Sequence, residues 1–227
     1  MGPVEITEWD QKNNPYLVEY GEFVKEPKQD IWGVKSYYKR TDCIRKYGFA
    51  IPTYEAIKCI KTFIPDVFFA PEGVIELGAG SGYWSYLLRT IGVKVRAFDP
   101  APGGTVNPPN EYSFWKSWTE IEKGDHTVLN QIPDAKKWAL LLCWPDYDVD
   151  WPAQALDLYP GNVLIYIGEG PSGCTGNNRF HKILQAQWKT YVSKRIPKWP
   201  GIHDCLEIYV RNYVQTAPSG SAPQHNS

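Results

Sequence analysis

Residues 73–99 constrain the fold more than any other part of the 227-residue chain. They begin with the apolar run GVIEL (73–77), turn at GAGSG, and continue into the amphipathic stretch YWSYLLRTIG, which Gly92 closes. A second apolar run, VKVRAFD (93–99), follows directly. A strand, a glycine turn, a helix and another strand, in this order, are typical of the βαβ unit of a parallel sheet.

The rest of the chain continues this alternation. The apolar runs 138–144 and 162–170 predict two buried strands, and such continuous runs are typical of a sheet covered on both faces. Weaker strands are predicted at 113–125, 193–197 and 205–214. Further helices are predicted at 53–64, 151–159 and 179–191. The sequence therefore predicts an α/β fold with a doubly wound, mostly parallel sheet.

The two ends of the chain differ from this middle part. Residues 1–50 are polar and rich in aromatic residues but show no clear period, so we expect an N-terminal extension that acts as a lid or in substrate recognition. Residues 51–214 form the predicted α/β domain, in which Thr53 caps the first helix. The small, polar residues 215–227 predict a disordered tail.

Composition excludes several classes of protein. With 43% hydrophobic and 22% charged residues, wholesale disorder, collagen and coiled coils are excluded. The 24 Lys and Arg residues nearly balance 25 Asp and Glu residues, so no overall basic field favours a nucleic-acid partner. The five cysteines are widely spaced without a CxxC pair, which predicts neither disulfides nor a metal site. Because no signal peptide or membrane segment is evident, we expect a cytoplasmic protein.

The glycine turn and the strand ends after it indicate a ligand site. Gly78, Gly80 and Gly82 have the spacing G-x-G-x-G, one residue shorter than a dinucleotide motif. This tighter turn favours a carboxylate-and-sulfonium ligand over a pyrophosphate, which needs room at the helix N-terminus. Asp99 ends the second strand, where a carboxylate can accept both hydroxyls of a ribose. Asp125 ends the third, where it could accept from an adenine amino group.

Together, VIELGAGSGYWS, AFDP and KGD resemble the motifs of class I S-adenosylmethionine-dependent methyltransferases, and the resemblance covers about residues 50–214. It implies a Rossmann-like sheet of seven strands, the last antiparallel, with S-adenosylmethionine as the cofactor. It also implies that YGFAIPT (47–53) covers that cofactor. The expected cofactor-binding residues are Glu76, Gly78, Ala79, Gly80, Gly82, Tyr83, Asp99, Pro100, Asp125 and Trp144.

The candidate catalytic residues follow the fourth and fifth strands: Asp146, Tyr147 and Glu169. Methyltransferases of exocyclic amines have Asn/Asp-Pro-Pro-Tyr after the fourth strand, but here the sequence is WPDY (144–147), which argues against a base amine as acceptor. The similar NPPN at 107–110 comes too early in the chain. Aromatic residues around the same strand end could flank a flat or cationic group.

Neighbouring residues have simpler interpretations. Asp148 and Asp150 are expected to cap the next helix, since a Trp-Pro pair follows them. His181 is expected at the surface or in helix packing. Cys174 has no base beside it in the sequence, which argues against a nucleophilic role.

Three functions remain open from the sequence. The first is methyl transfer to an unidentified acceptor, with a small molecule or a protein favoured. The basic clusters at 35–46 and 189–198 keep RNA as a further acceptor, although a solvated face explains them more simply. The second function is a nicotinamide-dependent oxidoreductase on a similar sheet. The third is a non-catalytic module that retains the cofactor fold.

Overall fold

The computed structural model describes residues 4–25, 33–64, 71–102, 113–114 and 116–212. The helices in this part of the chain are α1 (Glu8–Asn13), α2 (Pro15–Phe23), α3 (Val34–Tyr47), α4 (Tyr54–Phe63), α5 (Tyr83–Thr90), α6 (Trp151–Leu158) and α7 (Asn178–Gln187). The strands are β1 (Gly73–Leu77), β2 (Val95–Asp99), β3 (Glu122–Lys123), β4 (Trp138–Cys143), β5 (Val163–Gly168), β6 (Trp188–Arg195) and β7 (Cys205–Arg211).

The seven strands form one sheet in the order β3-β2-β1-β4-β5-β7-β6. Strands β1 to β5 pair in parallel, whereas β7 is antiparallel to both β5 and β6. The mostly parallel, seven-stranded Rossmann-like sheet expected from the sequence is therefore confirmed, including its antiparallel last strand.

Apolar side chains cover both faces of the sheet. In β4, Ala139 and Leu141 face a core shared with helices α2 to α5. Leu140 and Leu142 point to the opposite face, into a core shared with α6 and α7. Because side chains alternate along a strand, only a strand covered on both sides can be apolar throughout. This arrangement makes the sheet doubly wound.

Among its described residues, the N-terminal extension contains three helices that its sequence did not reveal. Their buried side chains, including those of Tyr16, Tyr20 and Tyr47, join the same core as α4 and α5. Asn14 connects the extension to the domain, because its Nδ2 donates to the Pro52 carbonyl oxygen at 2.9 Å and its Oδ1 accepts from the Tyr83 hydroxyl at 2.9 Å. The extension therefore packs beside the helix that follows the glycine turn.

Several predicted elements have different bounds, and the strand predicted over 193–197 instead spans Trp188–Arg195. Two further differences are larger. The helix predicted over 179–191 ends at Gln187, because residues from Trp188 onward pair with β7 as a strand. The strand predicted over 113–125 is reduced to two residues that pair with the end of β2. The Asn-Pro-Pro-Asn segment and the tail lie outside the described residues. Within the described part of the chain, no helix is long and apolar enough to cross a bilayer.

Candidate cofactor and acceptor site

A cavity of about 800 Å³ opens at the carboxyl ends of the central strands. The chain passes from β1 outward to β2 and β3, whereas β4 and β5 lie on the other side of β1. Ligands of open α/β sheets bind where the strand order reverses in this way. The volume falls within the ~300–1,000 Å³ typical of small-molecule sites. The topology therefore makes the region between the ends of β1 and β4 the candidate ligand site.

The glycine turn forms the floor of this cavity. Gly78, Gly80 and Gly82 have φ of +67°, +57° and +72°, all in the left-handed region that favours glycine. A Cβ on Gly80 would lie 2.7 Å from the ring of Phe114, so no larger residue fits without displacing that ring. Gly82 does not line the cavity but is the N-cap residue that precedes α5. The three glycines thus leave a concave backbone surface after β1.

Asp99 holds the turn from the neighbouring strand. Its Oδ2 accepts the Gly80 amide at 2.8 Å, and its Oδ1 accepts the Ala101 amide at 2.8 Å. Burial raises the pKa of this carboxyl, although the two amide hydrogen bonds oppose the rise. Each carboxylate oxygen can accept a further hydrogen bond. The side chain lines the cavity, so it is available to donors of a ligand.

Glu76 lies deeper, on β1. Its side chain is only 1% exposed, and its Oε2 accepts the Ser85 hydroxyl from the first turn of α5. Burial raises its pKa to about 7. Glu76 therefore provides a carboxyl that changes charge near neutrality at the inner wall of the cavity.

The β3 side of the cavity is formed by Pro100, Phe114, Asp125 and His126. Asp125 Oδ1 accepts the backbone amide of Thr127 at 2.9 Å and its hydroxyl at 2.6 Å. These two hydrogen bonds lower the pKa of Asp125, so it is a carboxylate at neutral pH. An exposed acceptor thus lies two strands away from the glycine turn.

Trp144 forms the opposite wall, directly after β4. Its φ of +52° is rare for a large side chain. The indole Nε1 donates to Asp204 Oδ1 at 2.8 Å, and the ring stacks on Phe49 with centroids 4.8 Å apart and planes 10° apart. Phe49 belongs to the segment that the sequence predicted to cover the cofactor. The guanidinium of Arg40 lies 5.7 Å from the Trp144 ring centroid.

Asp146 and Tyr147 lie at the mouth of the cavity. Asp146 is exposed and its Oδ2 accepts the Trp151 indole at 2.8 Å, while Tyr147 is 63% exposed. The ring of Trp151 also packs close to Gly78, where a Cβ would come within 3.1 Å. Trp151 thus links the acidic loop after β4 to the glycine turn.

Glu169 is buried behind the cavity rather than among its lining residues. Its Oε2 accepts the Cys174 amide at 2.7 Å and its Oε1 accepts the His203 amide at 2.6 Å. These hydrogen bonds lower its pKa against the opposing effect of burial, which is the largest single influence. The carboxylate therefore joins the loop after β5, which contributes Cys174 to the cavity, to the segment before β7.

Two helix-capping expectations need correction, whereas His181 lies as expected. Asp150 occupies the position before α6 but does not cap it, and instead accepts hydrogen bonds from Arg179 and Asn177 at 2.6 and 3.1 Å. Asp148 has a φ of +57° and lies in the preceding turn. His181 packs within α7, with Nε2 2.8 Å from the Thr175 carbonyl oxygen.

The structure brings together most of the residues that the sequence singled out. All the expected cofactor residues except Gly82 line the cavity, as do Asp146 and Tyr147 but not Glu169. Sequence reasoning missed Phe114, which lines the cavity. Phe114 has no local signal, because it only precedes the short β3.

No protein-family model matches the chain, and no curated protein matches it. Among solved structures, it is similar to a 1,6-didemethyltoxoflavin N1-methyltransferase from Burkholderia thailandensis, with 16% identity, 93% of this chain and 95% of that chain covered, and a TM-score of 0.46. It is also similar to magnesium protoporphyrin IX methyltransferase from Synechocystis PCC 6803, with 11% identity, coverage of 89% and 97%, and a TM-score of 0.46. At these low identities and TM-scores, the comparisons assign no ligand or activity to the chain.

Proposed function

We propose that the protein is an S-adenosylmethionine-dependent methyltransferase. The observation that supports this proposal most is the pairing of Asp99 with the left-handed glycine turn at the point where the strand order reverses. A carboxylate beside a glycine-rich turn offers one ligand an acceptor for its hydroxyl groups and close contact with the backbone.

The lining residues fit such a cofactor along its length. Asp125 on the β3 side would accept from the adenine amino group, and Asp99 would accept from the ribose hydroxyls. The backbone of residues 78–80 would lie under the amino-acid part, near Glu76. This orientation directs the sulfur toward Trp144, at the β4 side of the cavity.

When bound, S-adenosylmethionine supplies an electrophilic methyl group, and transfer requires an acceptor atom aligned with the methyl carbon and the sulfur. Alignment of the acceptor atom, the methyl carbon and the sulfur can account for much of the rate enhancement. A general base adds ~10²–10⁴-fold where the acceptor must lose a proton. We assign Asp146 and Tyr147 to the acceptor side, because both line the cavity mouth after β4. We assign Glu169 a positioning role, since its carboxylate holds the Cys174 loop.

Isothermal titration of the full chain with S-adenosylmethionine, S-adenosylhomocysteine, NADH and NADPH tests the proposal. We expect saturable heat with the two adenosyl compounds and none with the nicotinamides. Asp99→Ala should weaken binding, whereas Asp157→Asn, on the outer side of α6, should not. Binding of NADH alone would favour an oxidoreductase. Cofactor binding without methyl transfer from labelled cofactor to any acceptor would favour a non-catalytic module.

A further inference from the structure

The residues directly before β7 lie beside the cavity because of the direction of that strand. Strand β7 is antiparallel to β5, with Cys205 opposite Gly168. The parallel strands end at the cavity edge of the sheet, so a strand that runs antiparallel to them begins at this edge. Asp204 therefore lies next to the carboxyl ends of β4 and β5, although it is not among the residues that line the cavity.

Asp204 holds the cavity-lining residue Trp144 by the edge of its ring. Asp204 is only 5% exposed, and its Oδ1 accepts the Trp144 indole Nε1 at 2.8 Å. The Phe49 ring stacks on the indole, and the Arg40 guanidinium lies 5.7 Å from the indole centroid. Stacking restrains the tilt of a ring but not its rotation within its own plane. The hydrogen bond to Asp204 fixes this rotation, so Trp144 is a fixed part of the wall.

The backbone of Trp144 also needs support from its surroundings. Its φ of +52° lies in the left-handed region, where a bulky residue is strained and persists only when neighbouring contacts hold it. The Trp144 amide donates to the Ile167 carbonyl oxygen at 2.8 Å, and the Gly176 amide donates to the Pro145 carbonyl oxygen at 2.9 Å. The hydrogen bond from Asp204 adds a side-chain contact to these two backbone contacts.

The segment that contains Asp204 is itself anchored. The amide of the preceding residue, His203, donates to Glu169 Oε1 at 2.6 Å, and the Cys174 amide donates to Glu169 Oε2 at 2.7 Å. Asp204 is followed directly by the first residue of β7, which pairs with Gly168. The carboxyl group that holds Trp144 is therefore attached to the sheet on one side and to the loop after β5 on the other.

The charge state of Asp204 does not decide whether it can accept this hydrogen bond. Burial is the largest influence on its pKa and raises it to about 7, whereas the Trp144 hydrogen bond lowers it. The nearby Glu169 also raises this pKa, and Arg40 and Lys198 lower it. A protonated carboxyl group still has a carbonyl oxygen that accepts. The hydrogen bond is therefore available on both sides of neutral pH, and an asparagine at this position should preserve it.

We propose, on the basis of the proposed function, that Asp204 is a positioning residue of the cofactor site, which holds the Trp144 indole where it faces the cofactor sulfur. Asp204 does not touch the ligand and acts through Trp144. Without the hydrogen bond, Trp144 leaves its left-handed conformation in part of the molecules. The apparent affinity for the cofactor then falls with the fraction of molecules in which this wall is in place.

Calorimetric titration of Asp204 variants with S-adenosylhomocysteine tests this role. Asp204→Leu removes the acceptor and should weaken binding about tenfold. Asp204→Asn keeps an acceptor oxygen and should stay within about threefold of wild type. In a Trp144→Phe background, which lacks the indole donor, Asp204→Leu should have no further effect on affinity. Asp157→Leu, which removes an exposed acid of α6, is the control and should bind as wild type does.

NMR of the protein with 15N-labelled tryptophan detects the hydrogen bond itself. Among the resonances of the ten indole groups, that of Trp144 is identified by its absence from Trp144→Phe. Its indole proton should move to lower chemical shift in Asp204→Leu and return toward the wild-type position in Asp204→Asn. The other indole resonances should remain dispersed, which shows that the variant is folded. If the leucine variant does not fold, Asp204→Ser, whose hydroxyl is one atom shorter, replaces it in both experiments.

The outcomes separate this inference from the proposed function. If Asp204→Leu binds S-adenosylhomocysteine as wild type does, or weakens binding equally in the wild-type and Trp144→Phe backgrounds, the positioning role is wrong and the methyltransferase proposal stands. A loss of affinity in Asp204→Asn as large as that in Asp204→Leu also overturns the role. If wild type does not bind S-adenosylhomocysteine, the proposed function fails, and with it the role of Asp204 in a cofactor site. A Trp144 resonance that depends on Asp204 would then support only the hold on the wall.

Discussion

Replacing Glu76 with Gln should change how the stability of the protein depends on pH. Glu76 is almost fully buried on β1, and burial moves the pKa of its carboxyl from 4.5 to about 7. The Ser85 hydrogen bond lowers this pKa, and the nearby Asp99 raises it, but burial is the largest influence. The native protein thus holds a proton on Glu76 more tightly than the unfolded chain does.

The sign of the effect follows from this difference. Where the native state binds more protons than the unfolded state, the free energy of unfolding falls as pH rises. The contribution of Glu76 is therefore fully present below pH 4.5 and is lost as pH rises through about 7. The full change corresponds to about 3 kcal/mol. A glutamine cannot ionise, so Glu76→Gln should lose this decline and gain stability relative to wild type at high pH.

Urea unfolding followed by tryptophan fluorescence, between pH 5 and pH 9, measures this effect. The difference in unfolding free energy between Glu76→Gln and wild type should shift in favour of the variant by ~2–3 kcal/mol across this range. Glu72→Gln is the matched control, because the Glu72 side chain is half exposed and its ion pair with Lys137 is long, at 3.6 Å. Parallel pH profiles for wild type and Glu76→Gln would refute the reasoning.

Three further substitutions give expected outcomes. Asp99→Ala should weaken S-adenosylmethionine binding by ~1.5–3 kcal/mol, as measured by calorimetric titration. Circular dichroism should show that the variant keeps its fold, and an unchanged affinity would contradict the ribose assignment. Gly80→Val should abolish binding, because φ is +57° and the added side chain fills the cavity floor; an unaltered dissociation constant would contradict the position of the turn. Glu169→Ala should lower the unfolding free energy by ~2–4 kcal/mol, because it leaves the amides of Cys174 and His203 unpaired; equal urea midpoints would argue against its positioning role.

The sequence predicted the central strands and the glycine turn well because their signals are local. The apolar runs at β1, β4 and β5 have to be buried on both faces, which leaves few alternatives to a covered parallel sheet. Asp99 was found for the same reason, since it directly follows an apolar run and therefore lies at a strand end. Its hydrogen bond to the Gly80 amide could not be predicted in detail, but its proximity followed from the topology.

The N-terminal helices could not be predicted because their buried residues depend on distant partners. Tyr16 and Tyr20 are polar enough to obscure a hydrophobic period, yet both are buried. The Tyr20 hydroxyl donates to the Lys198 carbonyl oxygen at 2.8 Å, and the Tyr16 hydroxyl donates to the Phe49 carbonyl oxygen at 3.2 Å. The contact between Arg40 on α3 and Trp144, the residue after β4, is likewise non-local and could not be read from the sequence.

At the boundary between α7 and β6, a clear local pattern predicted the wrong secondary structure. Residues 188–191 continue an amphipathic pattern that suits a helix, but in the structure they pair with β7. The Trp188 ring stacks on Tyr159, with centroids 6.2 Å apart, and the Arg211 guanidinium lies 4.4 Å from its centroid. Pairing across strands therefore outweighed the helical pattern at this position.

A crystal structure with S-adenosylhomocysteine tests the central claim most directly. The account predicts the ribose hydroxyls within hydrogen-bond distance of Asp99, the amino-acid part over Gly78 and Gly80, and the sulfur directed toward Trp144. Electron density for the ligand elsewhere, or a ribose that does not contact Asp99, would contradict it.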